Sequence, residues 1–82
     1  GSLNAMLNLG VSYWKGAGIS RDLVQAYKWL DLARFHPQHS SNMRLKWRVR
    51  GTLDEVKKEM TGEQIRTAEQ LVREWDAANR PR

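Results

Sequence analysis

Cysteine is missing from this chain of 82 residues. Its absence excludes disulfide staples and any thiolate metal site, and it leaves the redox compartment open. Histidine is scarce: His36 and His39 stand three apart with Pro37 between them. A zinc site needs more ligands than this pair offers, so the expectation is a polar turn, with no metal and no cofactor. Long apolar runs are also missing. No stretch reaches the roughly 18 residues that a membrane-spanning helix requires. Proline occurs only twice, at Pro37 and Pro81. Those two positions are natural breaks in an otherwise helical pattern.

Catalytic groupings are equally thin. Asp54, Glu55 and Glu59 stand beside Lys57 and Lys58, which reads as solubility and local charge pairing. The Gly16-Ala17-Gly18 stretch lacks the preceding strand and third glycine of a dinucleotide loop, and the Lys-Ser or Lys-Thr pair of a nucleotide loop. No nucleophile and base stand out, and a chain this short has little room for a deep pocket. The expectation is a protein that is not an enzyme.

What the chain does have is positive charge in its middle. Residues 1–33 carry three basic and two acidic groups, residues 34–58 seven and two, and residues 59–82 four and five, within an overall +5. Such a centre suits an acidic partner surface or a phosphate backbone, or simply a solvated helix face.

The apolar spacing is helical throughout. A first helix is expected over Leu3 to Lys15, with Ala5, Leu9 and Tyr13 at four-residue steps and Gly16 as its stop. A second is expected over Asp22 to Arg34, capped by Ser20 or Asp22, with Ala26, Trp29, Leu30 and Ala33 on its apolar face. A third is expected over Asn42 to Met60. Its residues Leu45, Val49, Leu53, Val56 and Met60 fall on one stripe about 80° wide at about 100° per residue. Gly51 weakens that helix and marks a kink, a break or a close crossing. The fourth begins at the capping box of Thr61 and Gln64 and carries Ile65, Ala68, Leu71, Val72 and Trp75 on one face.

The series Ala5, Leu9-Gly10, Tyr13, Gly16-Ala17-Gly18, Asp22, Ala26, Trp29 and Ala33 is similar to the Sel1-like repeat, a helix–turn–helix unit related to tetratricopeptide repeats. Met60 to Ile65 and Ala68 to Trp75 look like the tail that often follows the last repeat in bacterial members. The resemblance implies an all-α chain: one antiparallel repeat over 3–36, a turn over 37–41 and a C-terminal capping helix pair over 42–80, making a short α-solenoid. Residues 1–2 read as the remnant of an expression tag, and the repeat as a fragment, a C-terminal module or a small protein that relies on self-association or a partner. Arg34 stands where the family carries a second alanine, and Phe35-His36-Pro37 where a glycine usually follows, so regular stacking is expected to end there. The bacterial type fits a cytoplasmic or a periplasmic location equally.

The resemblance implies core packing for Leu9, Tyr13, Ala26 and Trp29, and tight turning for Gly16 and Gly18. It further implies a protein-interaction or scaffold function, with another protein of acidic or mixed surface, or a second copy of the chain, as partner. Accessible contacts are expected at Trp14, Lys15, Tyr27 and Lys28, with a second patch at Trp47, Arg48 and Arg50. In the third helix Trp47 and Met43 fall between two basic flanks, opposite the apolar stripe. Three readings of Trp47 follow: a second packing face, a docking anchor, or a base-stacking residue in a nucleic-acid-binding domain that uses the basic 44–58 region.

Overall fold

Glycine placement decides how the chain first folds back on itself. The computed structural model describes residues 3–35 and 43–79. Its first helix, α1 (Leu3–Lys15), stops where Gly16 takes φ +71° and the N–H groups of Gly16 and Ala17 both donate to the Ser12 carbonyl. Gly18 at φ +81° continues the turn. Both conformations are cheap for glycine and strained for other residues. The chain re-enters a helix at Asp22, whose Oδ1 accepts from the Gln25 N–H at 3.1 Å and caps α2 (Leu23–Ala33). Asp22, and not Ser20, is therefore the cap. The Asp22 N–H also donates back to the Tyr13 carbonyl at 3.0 Å, tying the start of α2 to the end of α1.

Gly10 is the contact point of this hairpin. A Cβ there would lie 2.8 Å from Leu30 Cγ and 3.4 Å from the Ala26 carbonyl. The missing side chain is what lets α1 and α2 approach this closely.

The inward face of α1 differs from the expected one. Leu3 and Leu7 are fully buried and Gly10 is buried, with Met6, Tyr13 and Trp14 partly so. Ala5 is exposed and Leu9 only half-buried. Leu3, Leu7, Gly10 and Trp14 step by four, three and four, which keeps them on one stripe. Ala5 and Leu9 lie on the far side of it.

Two further helices follow, α3 (Met43–Lys58) and α4 (Gly62–Asn79). The helix α3 is continuous through Gly51, which is exposed and has nothing near its missing side chain. It neither breaks nor makes a close crossing. The expected stripe faces inward: Val49, Leu53 and Val56 are buried, and Leu45 and Met60 pack partly against them. The start of α4 is the reciprocal box read from sequence. The Thr61 N–H donates to Gln64 Oε1 at 2.9 Å, and the Gln64 N–H donates to Thr61 Oγ1 at 3.1 Å. Ala68 and Val72 are its buried residues.

The helix α2 is the hub. It packs most extensively on α1, then on α4 and α3, whereas α3 and α4 make their main contacts with α2 and not with each other. The C-terminal helices are thus less a self-contained pair than two elements laid separately against α2. Consistent with that position, Ala26, Tyr27, Leu30, Asp31, Leu32 and Ala33 are all buried, nearly encircling its second half. A helix buried on more than one side is apolar around most of its girth. The radius of gyration is 12.1 Å, close to the roughly 12 Å of a compact chain of this length. The described residues thus form a compact four-helix all-α bundle, consistent with a short helical-repeat or solenoid architecture. The 37–41 turn, His36, His39 and residues 1–2 lie outside the described residues.

Candidate interaction surface

The outward face of α3 follows from its inward one. With Val49, Leu53 and Val56 turned to the core, the position half a helix turn away belongs to Trp47. Trp47 is 62% exposed and Met43 58%. The expectation that these two form a second packing face is overturned, because α1 and α2 sit on the opposite side of the helix. Arg44 and Arg48 are exposed on one flank of Trp47, and on the other Arg50 is exposed and Lys46 half-buried. An indole between two basic flanks can anchor in an apolar recess while its neighbours meet carboxylates or phosphates.

Beside this face lies an open concavity of about 400 Å³ lined by Arg34, Lys46, Arg50, Leu53, Asp54 and Lys57. It forms where the C-terminal end of α2 meets α3. Arg34 pairs with the buried Asp31 at 3.1 Å. Burial pushes the Asp31 carboxyl above its ordinary range, and the positive charges of Arg34 and Lys57 pull it part of the way back. The Lys57 ammonium stands 5.7 Å from the Tyr27 ring centre. Burial, with the nearby charges of Asp31 and Glu69, raises the Tyr27 hydroxyl.

Tyr27 itself corrects an expectation. It is 4% exposed and belongs to the core, so it is not an accessible contact. In an isolated hairpin its side of α2 would face water, but α3 and α4 dock there.

The other expected contacts lie elsewhere. Trp14 is half-buried, and its indole N–H donates to Glu59 Oε2 at 2.6 Å. Arg21 donates to the other oxygen of the same carboxylate at 2.6 Å and, through Nε, to the Trp14 carbonyl at 3.0 Å. Lys15 is exposed with its ammonium 4.0 Å from the Trp14 ring centre. Lys28 and Trp29 are half-buried, and the ammonium lies 4.8 Å from that ring. Trp29, expected in the core, is therefore only partly enclosed. Glu59 follows the C-terminal end of α3, and Trp47 lies near its N-terminal end. At 1.5 Å per residue the Trp14 group and the Trp47 group are about 18 Å apart along α3. The structure does not merge the two expected patches.

Glu59, Arg21 and Arg34 were missed as organising residues. Nothing local marks Glu59, whose partners Arg21 and Trp14 stand 38 and 45 positions away in sequence, nor the reach of Arg21 to it. Arg34 did carry a signal, as a cation where the resembled repeat has alanine.

Among the described residues, no group of three or more histidine, cysteine, aspartate or glutamate side chains converges, and no helix is long and apolar enough to cross a membrane. Comparison of the chain with protein-family models, with curated proteins and with solved structures finds no match.

Proposed function

We propose that this chain is a non-enzymatic protein-interaction module, a Sel1-like helix–turn–helix repeat closed by two C-terminal helices. Its partner is another protein of acidic or mixed surface, and a second copy of the chain is one form such a partner takes. The observation that carries the reading is Trp47, 62% exposed on a helix whose opposite face is fully used by the core. A large indole left in water between Arg44, Arg48 and Arg50 is the residue composition of an interface anchor with a charged rim. The repeat assignment is supported by the roles its positions take: positive φ at Gly16 and Gly18, capping by Asp22, and close helix approach at Gly10.

The test is the solution mass by light scattering of the chain and of Trp47→Ala, alongside affinity capture with both forms and rebinding of purified candidates. A dimer lost in Trp47→Ala while helicity is retained supports self-association. A monomer that captures a partner dependent on Trp47 supports a different protein. Monomers in both forms with no Trp47-dependent binding overturn the reading. The basic flanks favour a second reading, nucleic-acid contact with Trp47 stacking on bases. Phosphate contacts of that kind weaken steeply with salt. A gel-shift titration showing no binding to duplex or single-stranded DNA or RNA at low salt removes it.

A further inference from the structure

We infer that the concavity between the C-terminal end of α2 and α3 is a binding site for a phosphate-class dianion, a phosphomonoester or a bridging diphosphate group. Four cations from two helices line one cavity: Arg34 from the end of α2, and Lys46, Arg50 and Lys57 from α3. The three on α3 are there by register. Positions 46, 50 and 57 fall within about 40° of one another at 100° per residue, on the edge of the helix between its buried stripe and Trp47.

Charge bookkeeping sets the ligand. Asp31 pairs with Arg34 at 3.1 Å and offsets its charge. Asp54, which also lines the cavity, offsets one of the remaining three cations. Two positive charges are left over, the match for a dianion. Among the described residues no ion pair engages Lys46 or Arg50. Their charges are therefore not spent within the fold, unlike those of Arg21, Arg34 and Lys58. A guanidinium fork presents two donors in the geometry of a phosphate edge, and an ammonium supplies a compact point charge beside it. Leu53, 3% exposed, is the apolar residue of the lining, and an apolar wall strengthens charged contacts made beside it. The volume of about 400 Å³ is at the small end of ligand cavities, enough for one or two phosphate groups with their attached carbon. This site shares Arg50 with the rim of the Trp47 face but needs no protein partner there, so anion binding by the isolated chain stands or falls separately from partner capture through Trp47.

The experiment is a titration of the chain with inorganic phosphate and with inorganic diphosphate, followed by 1H–15N NMR at constant ionic strength against chloride. Saturable shifts centred on residues 34, 46, 50, 54 and 57 are expected. Lys46→Glu and Arg50→Glu should each weaken binding about tenfold, the size of loss that follows from losing a charge-assisted contact. Asp54→Asn should tighten it. The decisive control is Arg44→Glu and Arg48→Glu, which change net charge equally on the far flank of Trp47 and should weaken binding less than about threefold, the general effect of net charge alone. Equal weakening by both pairs of variants, or shifts that never saturate, overturns the site. None of the five positions belongs to the buried core, and circular dichroism of each variant separates loss of binding from loss of fold.

Discussion

Two glycines inside helices do opposite work. Gly10 stands against Leu30, which is fully buried and has no room to swing aside. Gly51 stands in open space on the outer face of α3. Gly10→Ala is therefore expected to destabilise the chain by about 1–3 kcal/mol, the usual cost of forcing a group into a packed contact. Gly51→Ala is expected to stabilise it by about 1 kcal/mol, through the helix propensity that glycine forfeits. Urea denaturation of the two variants checks both at once. A stabilising Gly10→Ala would mean that α1 and α2 do not cross as closely as the Leu30 contact requires. Both glycines looked alike in sequence, each a glycine within a helical period. What separates them is the partner across the interface, and only Gly10 had a hint of one, from the spacing it shares with the Sel1-like repeat.

At the level of whole elements, legibility followed how local the determining forces are. The helix starts and stops were readable because caps are made by residues within four positions: Asp22 with Gln25, Thr61 with Gln64, Gly16 with Ser12. The stripe of α3 was readable because one face only is buried. The face of α1 differs from the regular period because its apolar positions are spread over more than one side, and that of α2 because further neighbours cover it. Ala5, Leu9 and Tyr13 gave a regular period, yet the wider apolar surface of α1 turns Leu3 and Leu7 inward. The burial of Tyr27 is not legible because nothing in the hairpin itself announces that α3 and α4 will cover it. The candidate site shows the same division: Trp47, Arg48 and Arg50 were visible as an outward set on one helix, while Arg34 joins their neighbourhood only through tertiary packing. These element-level forces are measurable. Thr61→Ala removes one half of the capping box and is expected to cost about 1 kcal/mol. Leu30→Ala, at the centre of the hub, is expected to cost about 2–5 kcal/mol. In a chain this small that is a large share of total stability. A Leu30→Ala variant that still unfolds cooperatively at nearly the parent midpoint would contradict the central role of α2.

The molecule as a whole is closed by a contact between side chains 38 and 45 positions apart in sequence. Glu59, just beyond α3, accepts from Trp14 on α1 and from Arg21 in the first turn, so one carboxylate ties the hairpin to the C-terminal half. Hydrogen bonding from Trp14 comes first in holding its carboxyl below the ordinary value of 4.5, followed by the Arg21 contacts. The unfolded chain, lacking both, then binds a proton more readily than the folded one between the lowered value and 4.5. By linkage, this stabilisation is fully present above 4.5 and is lost as pH falls through the lowered value. Asp31 acts in the reverse sense. Burial raises its folded value above 3.8, so its contribution is greatest below 3.8 and fades as pH rises through the raised value. The two slopes overlap in the acid range and oppose each other. Denaturation midpoints measured between about pH 3 and pH 7 should therefore fall less steeply on acidification in Glu59→Gln than in the parent, and more steeply in Asp31→Asn. The indole N–H resonance of Trp14, identified by its absence in Trp14→Phe, supplies a local readout: it should shift with a midpoint below 4.5 in the parent and not titrate in Glu59→Gln. A Trp14 resonance that titrates identically in both forms would mean that Glu59 does not hold the two halves together, and that the hub on α2 closes the molecule unaided.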